Sequence, residues 1–450
     1  MLKAIAAIFL FSEVLEFTDA AKGDGLIEAS WTKVCGLVTD LDKVPNSAWH
    51  KVDQLSSLAT RLEQTALRCG IFALATGSDQ DRQRAAILQT VFNTKAQKAR
   101  TQLADETEAT AIKATKAAAY TQGRLTEFLQ IAAQTQDSTE GCLLTGSNAG
   151  VAPTATLTGA HGTTCSLEYA DPLKHAAPTP TLTETGFTTF LTPGSGSDTH
   201  QTQASKECSL FTIHATGLAT AGAVSAANVQ YAAGLINIDK AGSSALTVTD
   251  LNAVASDGAG NKRHWNRVYK TIKQLQDSDP LVHENKTLTK TDNDLQMATL
   301  TTGLHKEDAT GLNLENEVTK IFTSDVGSTV AATLAKVYSL SIAIPINNGG
   351  KQQKLHEIAA TSKLHEILVF YTQQTADKLA KVTKDLEAER HKTATSGLGE
   401  TECNKIKIEA DCNKTAACSF NNTETDETKS CKFDAKKALK SGVPVTETQT

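Results

Sequence analysis

The feature that constrains this chain most is a run of small apolar residues at coiled-coil spacing. Val52, Leu55, Ala59, Leu62, Ala66, Cys69 and Ala73 step by 3, 4, 3, 4, 3 and 4. They line one helix face and need a partner along its whole length. Gly77-Ser78 ends the pattern, and Ser78-x-x-Asp81 offers a cap for a second helix. From Asp79 to Gln136 there is no proline and a single glycine, Gly123, while Ala104, Ala111, Ala118, Leu125 and Ala132 recur every seven residues. Unbroken, that segment makes a rod of roughly 87 Å at about 1.5 Å per residue. So short a break between long helices predicts an antiparallel hairpin, and alanine in the seam lets the two axes approach closely. A third long helix is expected from about Lys351 to Lys392, after the turn Asn347-Asn348-Gly349-Gly350. Its heptad seam, with one stutter, is Leu364, Leu368, Tyr371, Thr375, Leu379, Val382 and Leu386.

The rest of the chain reads differently. Residues 140–250 are rich in Thr, Pro, Gly and Ser, above all from Ala177 to Thr202, which predicts loops and short strands; Asn228–Asp239 reads as either a strand or a short helix. At the N-terminus, Lys3, the apolar run Ala4–Ser12 and the small residues of Thr18-Asp19-Ala20 form a signal-peptide pattern, so residues 1–20 are expected to be removed. An exported chain oxidises most of its cysteines. Five of the nine lie in the first half, at Cys35, Cys69, Cys142, Cys165 and Cys208; Cys403, Cys412, Cys418 and Cys431 cluster at the end. The terminal four lack the close C-x2-C pairs of zinc sites, and as disulfides they allow three connectivities. Cys69, at a seam position, reads as a buried small hydrophobe. Asn285, Asn413 and Asn421 each begin an N-x-[ST] glycosylation triplet.

The organisation that follows is mainly α. An elongated antiparallel coiled-coil hairpin with a lobe of loops and short strands occupies residues 21–392, 393–402 form a linker, and 403–450 form a small disulfide-stapled C-terminal domain. Length suits two or three domains. With 44 basic against 50 acidic residues the net charge is −6, which argues against a nucleic-acid partner. Aromatic residues make up only 5%, which suits thin helical packing better than a deep enzyme core.

Catalytic patterns are missing. The sequence has no G-x-x-x-x-G-K-[ST], G-x-G-x-x-G, G-x-S-x-G or H-E-x-x-H, and Gly194-Ser195-Gly196 lacks the strand and helix that would make it a phosphate loop. His356 and His365, nine residues apart on the expected third helix, point to nearly opposite faces and cannot share a metal. The runs Arg82–Arg84 and Lys95–Arg100 read as outer, solvated faces. No enzyme, cofactor or metal is expected.

The helical hairpin, the third long helix and the four-cysteine tail together resemble the trypanosome variant surface glycoproteins with an A-type N-terminal domain. The matching stretches are Trp31–Cys35, Gly123–Cys142, Lys363–Leu379 and the terminal cysteine block. The resemblance implies pairing of Cys35 with Cys165 and of Cys142 with Cys208, leaving Cys69 unpartnered. It implies an elongated homodimer on the extracellular face of the plasma membrane, held by a glycosylphosphatidylinositol anchor among neighbouring coat proteins. Such a coat shields the cell, and switching the expressed member defeats host antibodies. The alternative is a receptor for a host serum protein built on the same fold. The chain departs from the family pattern by ending at Thr450 without a hydrophobic anchor signal, so an incomplete C-terminus is expected.

Overall fold

The computed structural model describes residues 23–145, 150–151, 165, 167–187, 202–213, 217–218, 227–240, 246–278, 288–343, 352–395, 399–423 and 430–441. Residues 1–20, where a signal peptide is expected, and Asn285 lie outside them. Two compact units are formed, residues 1–63 with 91–288 and residues 64–90 with 289–450.

Three long helices come first. Helix α1 (Glu28–Ala75) has 48 residues; α2 (Asp79–Gln102) and α3 (Glu108–Gln134) follow, joined through one π turn at Leu103–Thr107. The Ser78 cap forms: its Oγ accepts from the Asp81 N–H at 3.3 Å. Leu55, Ala59, Leu62, Ala66, Cys69 and Ala73 are all buried. The antiparallel pairing is visible in side chains, since Glu63 pairs with Arg100 and Gln122 Nε2 donates to Asp42 Oδ1 at 2.9 Å.

Two features of this pairing depart from the sequence reading. First, α1 begins well ahead of Val52 and runs through Pro45. A proline inside a helix costs about 3 kcal/mol. Here Trp31, Val34, Val38, Leu41, Val44 and Ala48 are all buried on the same face, and their burial outweighs that cost. Second, Ala104 is exposed, although a straight heptad count puts it in the seam. The inward positions from buried Ala99 to buried Ala111 are the half-buried Leu103 and Thr107, three successive steps of four. Each step of four rotates the face by about 40° beyond a full α-helical turn. The wider π turn absorbs that rotation and brings Ala111, Ala118, Leu125 and Ala132 back into the core.

In the first unit the described parts of residues 140–250, which read as loops and short strands, take that form. Strand β1 (Asp24–Leu26) precedes α1, β2 (Leu144–Thr145) pairs with β3 (Gly150–Val151), and β4 (Thr202–Glu207) returns antiparallel to β1. The stretch Asn228–Asp239 takes the strand alternative: β5 (Val229–Tyr231) and β6 (Ile236–Ile238) pair as a hairpin across a tight turn at Ala232–Gly234, and β6 also pairs with β7 (Thr247–Val248). Ala232, Ala233 and Gly234 all have positive φ (51°, 59° and 81°), a tight reversal that buries both alanines. Helix α4 (Lys262–Asp277) packs on α3. Its Trp265 and Tyr269 meet the edge of Phe187 at 5.6 and 5.8 Å between ring centres.

Polar side chains of α1 hold the adjoining loop. Buried Asp40 accepts from the Thr181 N–H at 2.8 Å and its hydroxyl at 2.6 Å. Asn46 Oδ1 accepts from the Leu173 N–H at 2.8 Å, and the Ser47 hydroxyl donates to the Ala177 carbonyl at 3.2 Å. These bonds satisfy loop backbone that has no sheet partner.

The second unit surrounds residues 64–90 with α5 (Asn293–Ala298), α6 (Leu314–Phe322), α7 (Val326–Ser339), the hairpin of β8 (Ser341–Ala343) and β9 (Gln352–Lys354), and α8 (Thr361–Thr395). The long helix expected from about Lys351 therefore starts at Thr361 as α8, because residues 352–354 are committed to pairing with β8. His356 falls in the 3-10 turn Leu355–Glu357, where Nδ1 lies 3.0 Å from the Tyr338 carbonyl; only His365 is on α8. Arg68 is buried in α1, donating to the carbonyls of Leu355 (3.0 Å) and Ile358 (2.8 Å). Arg84 is half-buried and donates to the Ile321 carbonyl at 2.7 Å, so the Arg82–Arg84 run is not wholly a solvated face. The chain closes with α9 (Glu400–Cys403), α10 (Glu409–Lys414), the hairpin of β10 (Cys418–Phe420) and β11 (Cys431–Phe433), and α11 (Ala435–Lys440).

Because Leu62 and Leu125 are both buried in the seam, Leu62→Asp or Leu125→Asp is expected to unfold the hairpin at 37 °C. The cost is about 3 kcal/mol or more, from a buried unpaired carboxylate and lost packing. Circular dichroism melting checks this; an unchanged midpoint would remove the seam from its structural role.

Candidate functional site

The functional features here are cross-links and surfaces. Cys35 of α1 is joined to Cys165, and Cys142, which follows α3, is joined to Cys208 just after β4. All four are buried. Each bridge ties a long helix or its end to the loop-rich segment, across 130 and 66 residues of sequence. The terminal four pair first with third and second with fourth, Cys403–Cys418 and Cys412–Cys431. They form their own core with Ile406, Phe420 and Phe433. Loops of 15 and 19 residues closed this way are each stabilised by about 3 kcal/mol in the chain-entropy account. That compensates for a core too small to hold the piece alone.

Cys69 is the free cysteine, buried in α1. Burial pushes its thiol well above the ordinary range, against the weaker opposing pull of Arg68. A thiol held protonated is a poor nucleophile and packs as an apolar group.

The glycosylation triplets fall on different ground. Asn413 is exposed at the end of α10, its Oδ1 accepting from the Phe420 N–H at 3.1 Å. Asn421 is half-buried after β10 and folds back on its own triplet, with Oδ1 accepting from the Thr423 N–H (3.1 Å) and hydroxyl (2.7 Å).

The seam of α8 behaves unlike that of α1. Leu364 is buried and Leu368 and Tyr371 are half-buried, but Leu379, Val382 and Leu386 are 66%, 54% and 60% exposed. Spacing alone could not distinguish a seam filled within the chain from one left open. Among the described residues no group of three or more His, Cys, Asp and Glu is placed to hold a metal, and no helix is long and apolar enough to cross a membrane.

What the fold and its bridges define is a disulfide-braced helical scaffold. A family model described as trypanosome variant surface glycoprotein (A-type) matches residues 8–372. The chain belongs to this family of surface coat proteins, which is not known for enzymatic activity. Variant surface glycoprotein ILTAT 1.2 of Trypanosoma brucei brucei is 37% identical over 315 residues, covering 70% of this chain and 97% of that relative. Variant surface glycoprotein MITAT 1.2 of the same organism is 27% identical over 452 residues, covering 96% of this chain and 90% of that relative. The solved structure of MITat 1.1 superposes with a TM-score of 0.73 at 22% identity, covering 81% of this chain and 100% of that one, a likeness of fold. Neither curated relative bears a receptor's name.

With four bridges and one buried thiol, a thiol-reactive dye is expected to label nothing in the native protein and one group per chain after unfolding without reductant. Further labelled groups would show that a bridge is missing.

Proposed function

We propose that this chain is a coat subunit that catalyses no reaction. It stands on the extracellular face of the plasma membrane on a glycosylphosphatidylinositol anchor, packed against neighbouring copies, where switching the expressed member evades host antibodies. The observation that carries this reading is the 37% identity to ILTAT 1.2 across nearly that protein's whole length. Residues 1–20 are the signal peptide, 21–392 the elongated N-terminal domain, 393–402 the linker and 403–450 the cysteine-rich C-terminal domain. The four bridges serve stability outside the cell, and Asn285, Asn413 and Asn421 are the glycan acceptors.

Surface labelling of live cells expressing the gene, followed by phosphatidylinositol-specific phospholipase, tests the coat role. A dominant species released by the lipase is expected. A scarce one that co-purifies with a host serum protein would favour the receptor, and retention inside the cell would overturn both.

The subunit is a homodimer, and the open stripe Leu379, Val382 and Leu386 of α8 supports this reading. Three large apolar side chains at heptad spacing, exposed on one helix face, are covered when a second copy presents the same stripe. Leu379→Glu with Leu386→Glu is expected to halve the mass in analytical ultracentrifugation while leaving the helical signal intact. A variant that stays dimeric would take the interface away from α8.

A further inference from the structure

A hollow of about 540 Å³ lies between α3 and α4, within the range of small-molecule sites. Its floor is apolar and shallow-sided, with Ala117 and Val268 at the contact of the two helices. Around this floor stand three cations, Lys113 and Lys116 from α3 and Arg267 from α4, and no carboxylate lines the hollow. None of the three cations takes part in an ion pair among the described residues. Lys113 also borders a neighbouring hollow holding Asp105 and Glu106, without pairing to either. In a chain of net charge −6, three convergent cations without partners form a local positive field of the kind that draws polyanions.

Two rings complete the wall. Tyr120 is 59% exposed, and its ring lies 5.7 Å from that of His264, tilted at 59°. Arg124 sits over the Tyr120 ring at 5.9 Å, and the Thr121 hydroxyl lies 3.0 Å from His264 Nε2, so both rings are held in place. Burial, with the neighbouring Arg124 and Arg267, holds the His264 pKa below its ordinary value. The imidazole is therefore a neutral flat surface at pH 7.

From this geometry we infer that the α3–α4 hollow binds a phosphorylated small molecule carrying a flat ring, of the nucleoside polyphosphate class. The phosphates lie against Lys113, Lys116 and Arg267, where the guanidinium can bind an oxyanion through two N–H groups. The ring lies on Tyr120 and His264, since stacking on an aromatic side chain tolerates any base. Binding involves no bond making or breaking, and it is independent of the coat role.

Isothermal titration of the intact protein at physiological salt with ATP, adenosine and tripolyphosphate tests this. ATP is expected to bind with a submillimolar dissociation constant, and each part alone about tenfold more weakly or less. Lys113→Gln with Lys116→Gln, or Arg267→Gln, weakens ATP about tenfold; Tyr120→Ala weakens ATP but leaves tripolyphosphate unchanged. Lys378→Gln on the exposed face of α8 removes the same charge elsewhere and leaves binding unchanged. Circular dichroism confirms that each exposed-site variant is folded. The proposal is overturned by the absence of saturable ATP binding at roughly millimolar concentration. It is equally overturned by an equal loss in Lys378→Gln, which would reduce the effect to bulk charge, or by tripolyphosphate binding as tightly as ATP.

Discussion

The structure depends on one unbroken line of apolar contact along α1, from Trp31 through Val38, Leu41, Leu55 and Leu62 to Cys69 and Ala73. A narrow seam stabilises only in proportion to its length, because each turn contributes one or two small side chains at about 25 cal/mol per Å². Two local rules are broken to keep it continuous. Pro45 sits inside α1, and the π turn at Leu103–Thr107 interrupts regular α winding. Both are tolerated because stopping the helix would forfeit every contact beyond the break.

What surrounds the seam is held by a different kind of interaction. The loop at residues 167–187 is fastened through hydrogen bonds to Asp40, Asn46 and Ser47 on α1. The bridges Cys35–Cys165 and Cys142–Cys208 then tie loop-rich segments to the helices. Attachments of this sort involve backbone groups and sulfur, and so place few demands on the loop side chains between them. A family of coat proteins that varies its surface can change such side chains while the seam stays intact. In the second unit the same principle appears with Arg68 and Arg84, whose guanidinium groups meet the carbonyls of Leu355, Ile358 and Ile321.

The two long-helix seams divide the labour. The seam of α1 is satisfied within the chain, whereas Leu379, Val382 and Leu386 on α8 are open. An apolar stripe facing water is costly for a monomer and useful for an assembly. The hollow between α3 and α4 is of another character, polar at its rim and lined by unpaired cations.

Local patterning along the chain determined that it makes long helices, where the break at Gly77-Ser78 falls, and that the segment after Cys142 does not continue them. These are local properties, legible because 3–4 spacing, capping residues and clustered Thr, Pro and Gly act over a few neighbouring positions. The start of α1 before Pro45 was hidden, since propensity counts the proline and cannot count the burial of Trp31 and Leu41. Ala104 misread as a seam residue for a related reason: one π turn shifts the face, and its need is set by the partner helix. Only tertiary structure decided that the tail pairs Cys403 with Cys418 and Cys412 with Cys431, that residues 352–354 form a strand, and that Arg68 is buried. Each of these depends on which groups meet through space and not on their order along the chain, and such contacts leave no mark in the spacing of neighbouring residues.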